Sequence, residues 1–130
     1  YSLGLGLETD ADGLAVSTPS RFIGKLMEPL LSGCCTLEDS TMYRHLVDLY
    51  ETENVEVEPS AAAGCGVPRL LCESDAGRDY LRNYDLLQHM ENSTHIIWLT
   101  GGLFIPSEQH EEFRTIARDS GNTNGKRPHD

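Results

Sequence analysis

The stretch His95-Ile-Ile-Trp-Leu-Thr-Gly-Gly-Leu-Phe-Ile-Pro106 puts one hydroxyl, Thr100, at the end of an apolar run, with two residues that have no side chain straight after it. A hydroxyl donates or accepts a hydrogen bond, and glycines let a flat ligand come up against the backbone. Two other stretches carry groups of similar use: Asp12-Gly13 within Asp12-Gly-Leu-Ala-Val16, and Glu58 within Glu58-Pro-Ser-Ala-Ala-Ala-Gly64. Each also has a plain structural reading. Thr-Gly-Gly and Asp-Gly serve as turns, and a glutamate ahead of a helix is favoured by the helix dipole.

The other reactive residue types point to less. Cys34, Cys35, Cys65 and Cys72 include no C-x-x-C pair, so reduced thiols are expected rather than a metal site, and with them a reducing, cytoplasmic setting. His45, His89, His95, His110 and His129 read as solvated or core-edge residues. The sequon Asn92-Ser93-Thr94 then meets no glycosylating machinery. Only two lysines occur, Lys25 and Lys126, and Gly4-Leu-Gly6 has no strand before it and acidic residues after it, unlike a phosphate-cradling loop.

These groups must be positioned by elements that the apolar spacing predicts. Ser20 should cap a helix with Phe22, Ile23, Leu26, Met27, Leu30 and Leu31 on one face, kinked or stopped near Glu28 by Pro29. Residues 34–37 read as a short inner strand. Thr36 with Asp39, or Ser40, should cap a helix running to about Thr52, with Tyr43, Leu46, Val47 and Tyr50 inward. A brief strand over 55–58 leads into a helix start at Pro59. Residues 64–83 look irregular, 84–90 a short helix and 95–100 a buried strand. Ser107 should cap a last helix, with Phe113, Ile116 and Ala117 inward, ending by Gly121. Alternating strands and helices predict an α/β fold with an open sheet and flanking helices, whose ligands would sit beyond the carboxyl ends of the strands.

The chain has the length of one domain, 130 residues. Twenty-one acidic against ten basic residues give a formal charge of −11, which repels phosphate backbones and anionic lipid. Neither nucleic acid nor a membrane is therefore expected as a partner. No apolar run approaches the ~20 residues that cross a bilayer.

Taken in order, Asp12–Val16, Glu58–Gly64 and Asn92–Gly102 resemble the closing third of the pyridoxal-phosphate enzymes of the tryptophan synthase β-like fold (fold type II), and the D-serine dehydratase (D-serine ammonia-lyase) family most closely. Residues 21–28 and 37–43 look like that family too, so the resemblance covers roughly residues 8 to 113. L-threonine and L-serine dehydratases share the Asp-Gly and Glu-Pro-Ser landmarks but fit the rest less well.

The resemblance implies pyridoxal 5'-phosphate as cofactor, with a monovalent cation as a further candidate, and α,β-elimination of D-serine to pyruvate and ammonia. It implies that Thr100 bonds the pyridine nitrogen, that Gly101 makes room for the ring, that Asp12 and Gly13 lie against one ring face, and that Glu58 is a polar neighbour. Neither lysine has the family's Ser-x-Lys setting, so the Schiff-base lysine and the phosphate loop are expected earlier in the family's sequence. Residues 1–121 are thus expected to be a C-terminal segment of the catalytic fold, inactive alone and partnered by the remainder of the same polypeptide, with 122–130 a disordered tail. Leu103, where the family favours a third glycine, and Pro29 depart from the pattern. A non-enzymatic acidic α/β binding module is the contrasting expectation.

Overall fold

A computed structural model describes residues 8–16 and 18–123. Among them six α-helices form: α1 Arg21–Met27, α2 Asp39–Glu53, α3 Pro59–Ala62, α4 Val67–Glu73, α5 Asp75–Asn83 and α6 Ser107–Thr123. Short 3-10 turns occupy Asp12–Leu14, Ala63–Gly66 and Leu87–Asn92.

The expected α/β fold is corrected by this architecture, because no strand occurs among the described residues. An alternating apolar run becomes a strand only when another backbone lies alongside to take its amides and carbonyls. Nothing described does so for residues 94–100, whose backbone groups make no bond to other backbone. One bond joins the neighbouring segments, from the Glu58 amide to the Gly101 carbonyl at 3.3 Å, and a single bond is not a ladder. Ile96 and Trp98, expected inside, are 88% and 84% exposed. Residues 34–37 and 55–58 likewise lie outside any element.

The core forms around α2. Tyr43 and Leu46 on its inner face are buried with Val57, with Ala61 and Ala62 of α3, and with Phe113 of α6, while Leu49, Val55, Ile105, Ile116 and Ala117 close the edges. The Tyr43 and Phe113 rings meet tilted, 5.8 Å between centroids. The inward face expected for α6 is the observed one; on α2, Tyr43 and Leu46 are inward as expected, whereas Val47 and Tyr50 are only half-buried and Met42 is buried instead.

Helix α1 matches its sequence locally but not in packing. The Ser20 hydroxyl accepts from the Ile23 amide at 3.5 Å, and the helix gives way at Glu28, one residue before Pro29. Its apolar stripe finds no cover among the described residues: Phe22, Ile23, Leu26, Leu30 and Leu31 are all exposed.

Residues 64–83, expected to be irregular, hold two helices. Pro68 sits in the first turn of α4, where its missing amide costs nothing. Ser74 separates the pair: its hydroxyl donates to the Leu70 carbonyl at 2.7 Å and accepts from the Gly77 amide at 2.9 Å, closing α4 and capping α5. Gly77 signals close approach rather than a turn, since a Cβ there would overlap the Leu70 carbonyl oxygen and stand 2.6 Å from Leu71 Cα. The short helix expected at 84–90 is instead the 3-10 turn Leu87–Asn92. Helix α6 continues past Gly121 to Thr123, so Asn122 and Thr123 are helical, and the rest of the expected tail lies outside the described residues.

Substituting Gly77→Ala should destabilise the protein by about 1–3 kcal/mol, because backbone on the facing helix has to move. The measurement is the midpoint of chemical denaturation; a midpoint equal to the parent's would mean that α4 and α5 do not meet at Gly77.

Candidate functional site

The N-terminal end of α3 is where the three landmark stretches meet. Glu58 precedes the helix in extended conformation, and Pro59 supplies its first position. A Cβ on Gly101 would overlap the Glu58 carboxyl group. Gly102 adopts φ +126°, and a Cβ there would stand 2.8 Å from the Val57 carbonyl carbon and 2.9 Å from the Glu56 oxygen. Residue 102 requires glycine for room and conformation together, whereas at 101 the atoms in the way are the end of the Glu58 side chain, which can swing aside. Gly13 lies over Ser60, whose Oγ would be 3.1 Å from a Cβ at residue 13, and Gly64 faces Ile97.

Thr100 is exposed beside this contact, as are Asp12 and Gly13. Thr100 and Gly101 are thereby placed beside Glu58, and Gly13 beside Ser60, two residues further on. The Ser60 Oγ is enclosed and has no hydrogen-bond partner.

Helix α2 anchors the Asp12–Leu14 turn. Asp39 was expected to help cap that helix, but the capping residue is Glu38, without a side-chain bond. The Asp39 carboxylate instead accepts from the Thr9 hydroxyl at 2.7 Å and from the Asp10 amide at 3.0 Å. Thr9 Oγ1 in turn accepts from the Ala11 amide at 3.1 Å. The Tyr43 hydroxyl donates to Asp10. Burial pushes the Tyr43 phenol well above its ordinary pKa, and the bond to Asp10, with the charges of Asp10, Asp39 and Glu112, pushes the same way.

Helix α6 holds the other flank through two buried polar residues: Arg114, for which the sequence suggests no role, and His110, expected to be solvated or at the core edge. The Arg114 guanidinium bonds Glu56 at 3.1 Å and Glu111 at 3.0 Å, and lies 4.2 Å from the centroid of the Tyr50 ring. It holds the Glu111 carboxyl below its ordinary range. One turn earlier, His110 is only 2% exposed, with Nε2 3.3 Å from the Gly102 carbonyl oxygen. Their spacing was a usable signal: residues 110, 113, 114 and 117 form one helical face, two of whose members are apolar and inward.

A cleft of about 740 Å³ opens beside the turn, lined by Ala11, Leu14, Leu37, Met42, Ala63 and Gly64 among others. Thr100, Gly101, Glu58, Asp12 and Gly13 are not part of its lining. All four cysteines are free, and burial together with Asp48 raises the Cys65 thiol. Among the described residues no three His, Cys, Asp or Glu side chains are grouped to hold a metal ion. No described helix is long and apolar enough to cross a membrane.

No protein-family model matches the chain. Curated proteins do. It is 46% identical over 118 residues to the probable D-serine dehydratase of Paracidovorax citrulli, covering 91% of this chain and 26% of that protein. It is 48% identical over 113 residues to the protein of that name from Hahella chejuensis, covering 87% and 26%. The Bacillus cereus protein of that name is 48% identical over 106 residues, covering 82% and 23%.

The chain is a segment of the D-serine dehydratase family. It spans about a quarter of the length of the curated relatives it matches.

The Tyr43 bond to Asp10 ties the Asp-Gly turn to α2. Since the phenol's folded-state pKa is raised above the ordinary 10.0, its contribution to stability is complete below that pH and is lost as pH climbs past it toward the folded value. Tyr43→Phe should cost about 0.5–1.5 kcal/mol at neutral pH and flatten the decline above pH 10. Urea midpoints from pH 7 upward check it; equal alkaline losses in both proteins would rule the assignment out.

Proposed function

We propose that this chain is the part of a pyridoxal-phosphate-dependent D-serine ammonia-lyase that receives the pyridine edge of the cofactor. One observation carries the reading: the three stretches that sequence resemblance singles out, far apart in the chain, converge on the start of α3, with bare glycine backbone at both contacts. That the relatives are named D-serine dehydratases supports D-serine over L-serine or L-threonine as substrate.

The residues present suit such a ligand. Thr100 offers an exposed hydroxyl next to backbone that has no side chain, and Gly13 offers bare backbone beside Ser60, two residues beyond Glu58. In this reading Thr100 bonds the ring nitrogen, Gly101 leaves room for the ring, Asp12 and Gly13 lie along one face, and Glu58 is a polar neighbour. Bound pyridoxal phosphate would supply an electron sink that labilises the α-proton and the β-hydroxyl of serine.

The choice of threonine sets how deep that sink is. A carboxylate at the ring nitrogen would hold a proton there, whereas a hydroxyl forms a hydrogen bond without imposing a charge. Weak stabilisation of charge suits prompt departure of the substrate hydroxyl, and disfavours a long-lived species that could transaminate. Glu58 packs against Gly101 and so fixes the backbone from which Thr100 projects.

The rest of the polypeptide would bring the lysine that bonds the cofactor and the loop that holds its phosphate. Its body would also cover the exposed stripe of α1 and the outward faces of Ile96, Trp98 and Phe104. The four free cysteines support a reducing, cytoplasmic compartment.

Full-length polypeptide incubated with pyridoxal phosphate should gain a visible absorption band and release pyruvate from D-serine. Material that gains no band sinks the proposal. In the same protein Thr100→Asp should lower elimination at least about tenfold, the scale of one altered transition-state interaction, and raise transamination by-products. Unchanged rate and by-products would remove Thr100 from the ring nitrogen.

A further inference from the structure

We propose that His110 is a positioning residue for the cofactor edge: by bonding the Gly102 carbonyl from inside the core, it sets the Thr100-Gly101-Gly102 turn against Glu58. The inference rests on the reading above for what the turn faces, and on geometry for how it is held.

A carbonyl oxygen only accepts, so at 3.3 Å the His110 Nε2 carries the proton and donates. The same oxygen also accepts from the Ile105 amide at 3.1 Å, so two donors fix the orientation of the Gly102 peptide. In the neutral ring Nδ1 is then an acceptor, and it is buried without a partner. Packing alone would be served as well by an apolar ring in this place, where Phe113 already meets the imidazole edge-on with centroids 6.3 Å apart. What histidine adds is the donor. Its helix carries Arg114 one turn on, bonded to Glu56, so α6 holds both sides of the contact, residue 102 through His110 and residue 56 through Arg114. Between these two ties lies the Gly101–Glu58 contact beside Thr100.

Two substitutions separate the donor from the packing. His110→Phe fills the space without a donor, whereas His110→Gln can place an amide nitrogen near the position of Nε2. Both are made in the full-length polypeptide, with Thr100→Val as reference. Exchange of the Ile105 amide, which donates to the same Gly102 carbonyl, is followed without cofactor, and pyridoxal phosphate affinity is measured by absorbance titration.

In His110→Phe, exchange of the Ile105 amide should quicken about tenfold, the loss of one hydrogen bond, while α2 amides are unchanged, and the cofactor dissociation constant should rise by about the same factor. His110→Gln should recover most of both. Exchange at the parent rate in His110→Phe, or a Gln variant as impaired as the Phe variant, overturns the proposal. So does quickened exchange with unaltered cofactor affinity. Thr100→Val then tells the two failures apart: if it weakens the cofactor, only the role of His110 falls, and if it does not, the cofactor reading falls as well.

Discussion

The absence of a Cβ at residue 102 is what permits the rest. Any larger residue there would collide with the backbone of residues 56 and 57 while occupying a φ of +126° that L side chains rarely adopt, whereas one at 101 would have only to push the end of the Glu58 side chain aside. With residue 102 bare, the chain arriving from residue 95 can lie flat against the start of α3. Ile97 then reaches Gly64, Thr100 comes to rest beside Glu58, and the chain turns through Ile105 into α6 with His110 beneath it. A side chain added at residue 102 would separate these contacts together, since they share one stretch of backbone.

Local signals in the sequence were reliable where the structure satisfies them locally. The Ser20 cap and the stop at Pro29 needed only neighbouring residues, and the inward faces of α2 and α6 needed only that each helix find a partner. The glycines were harder. In residues 64–83 they resembled a loop, because the sequence does not distinguish a glycine that bends the chain from one that lets two helices touch, and Gly77 is of the second kind. The three landmarks were legible as separate stretches. Their meeting point was not, because contacts such as Gly13 with Ser60 depend on how α2 carries residues 9–11, through an Asp39 carboxylate that looked like an ordinary helix cap.

The strands failed for a different reason. Alternation reports what a segment could bury, and it does not name the backbone that would sit beside it. Ile97 and Leu99 turn toward the body of the protein and are 37% and 38% exposed, while Ile96 and Trp98 face outward at more than twice that. The two-residue period is thus expressed in orientation without a ladder to make it a strand. His110 and Arg114 show the complementary limit: polar residues on an inward face look like interruptions until their partners, a carbonyl at 102 and a carboxylate at 56, come in from elsewhere in the chain.

Charge and apolar exposure together constrain what the outer faces can meet. Burial of apolar surface is worth about 25 cal/mol per Å², and monomers seldom leave a contiguous patch above a few hundred Å² open. Here Phe22, Ile23 and Leu26 on α1 and the run from Ile96 to Phe104 leave large side chains open, whereas the buried core is small: chiefly Met42, Tyr43, Leu46, Val57, Leu81, Phe113 and a few alanines. A chain with a formal charge of −11 repels copies of itself, so self-association would have to overcome that repulsion as well as order the joined surfaces. Covering by the same polypeptide avoids the opposition between like-charged copies and the cost of bringing separate molecules together. Under the proposed reading, then, the rest of the polypeptide would cover the apolar stripe of α1 and the outward faces of Ile96 and Trp98 more readily than a second copy of the chain would.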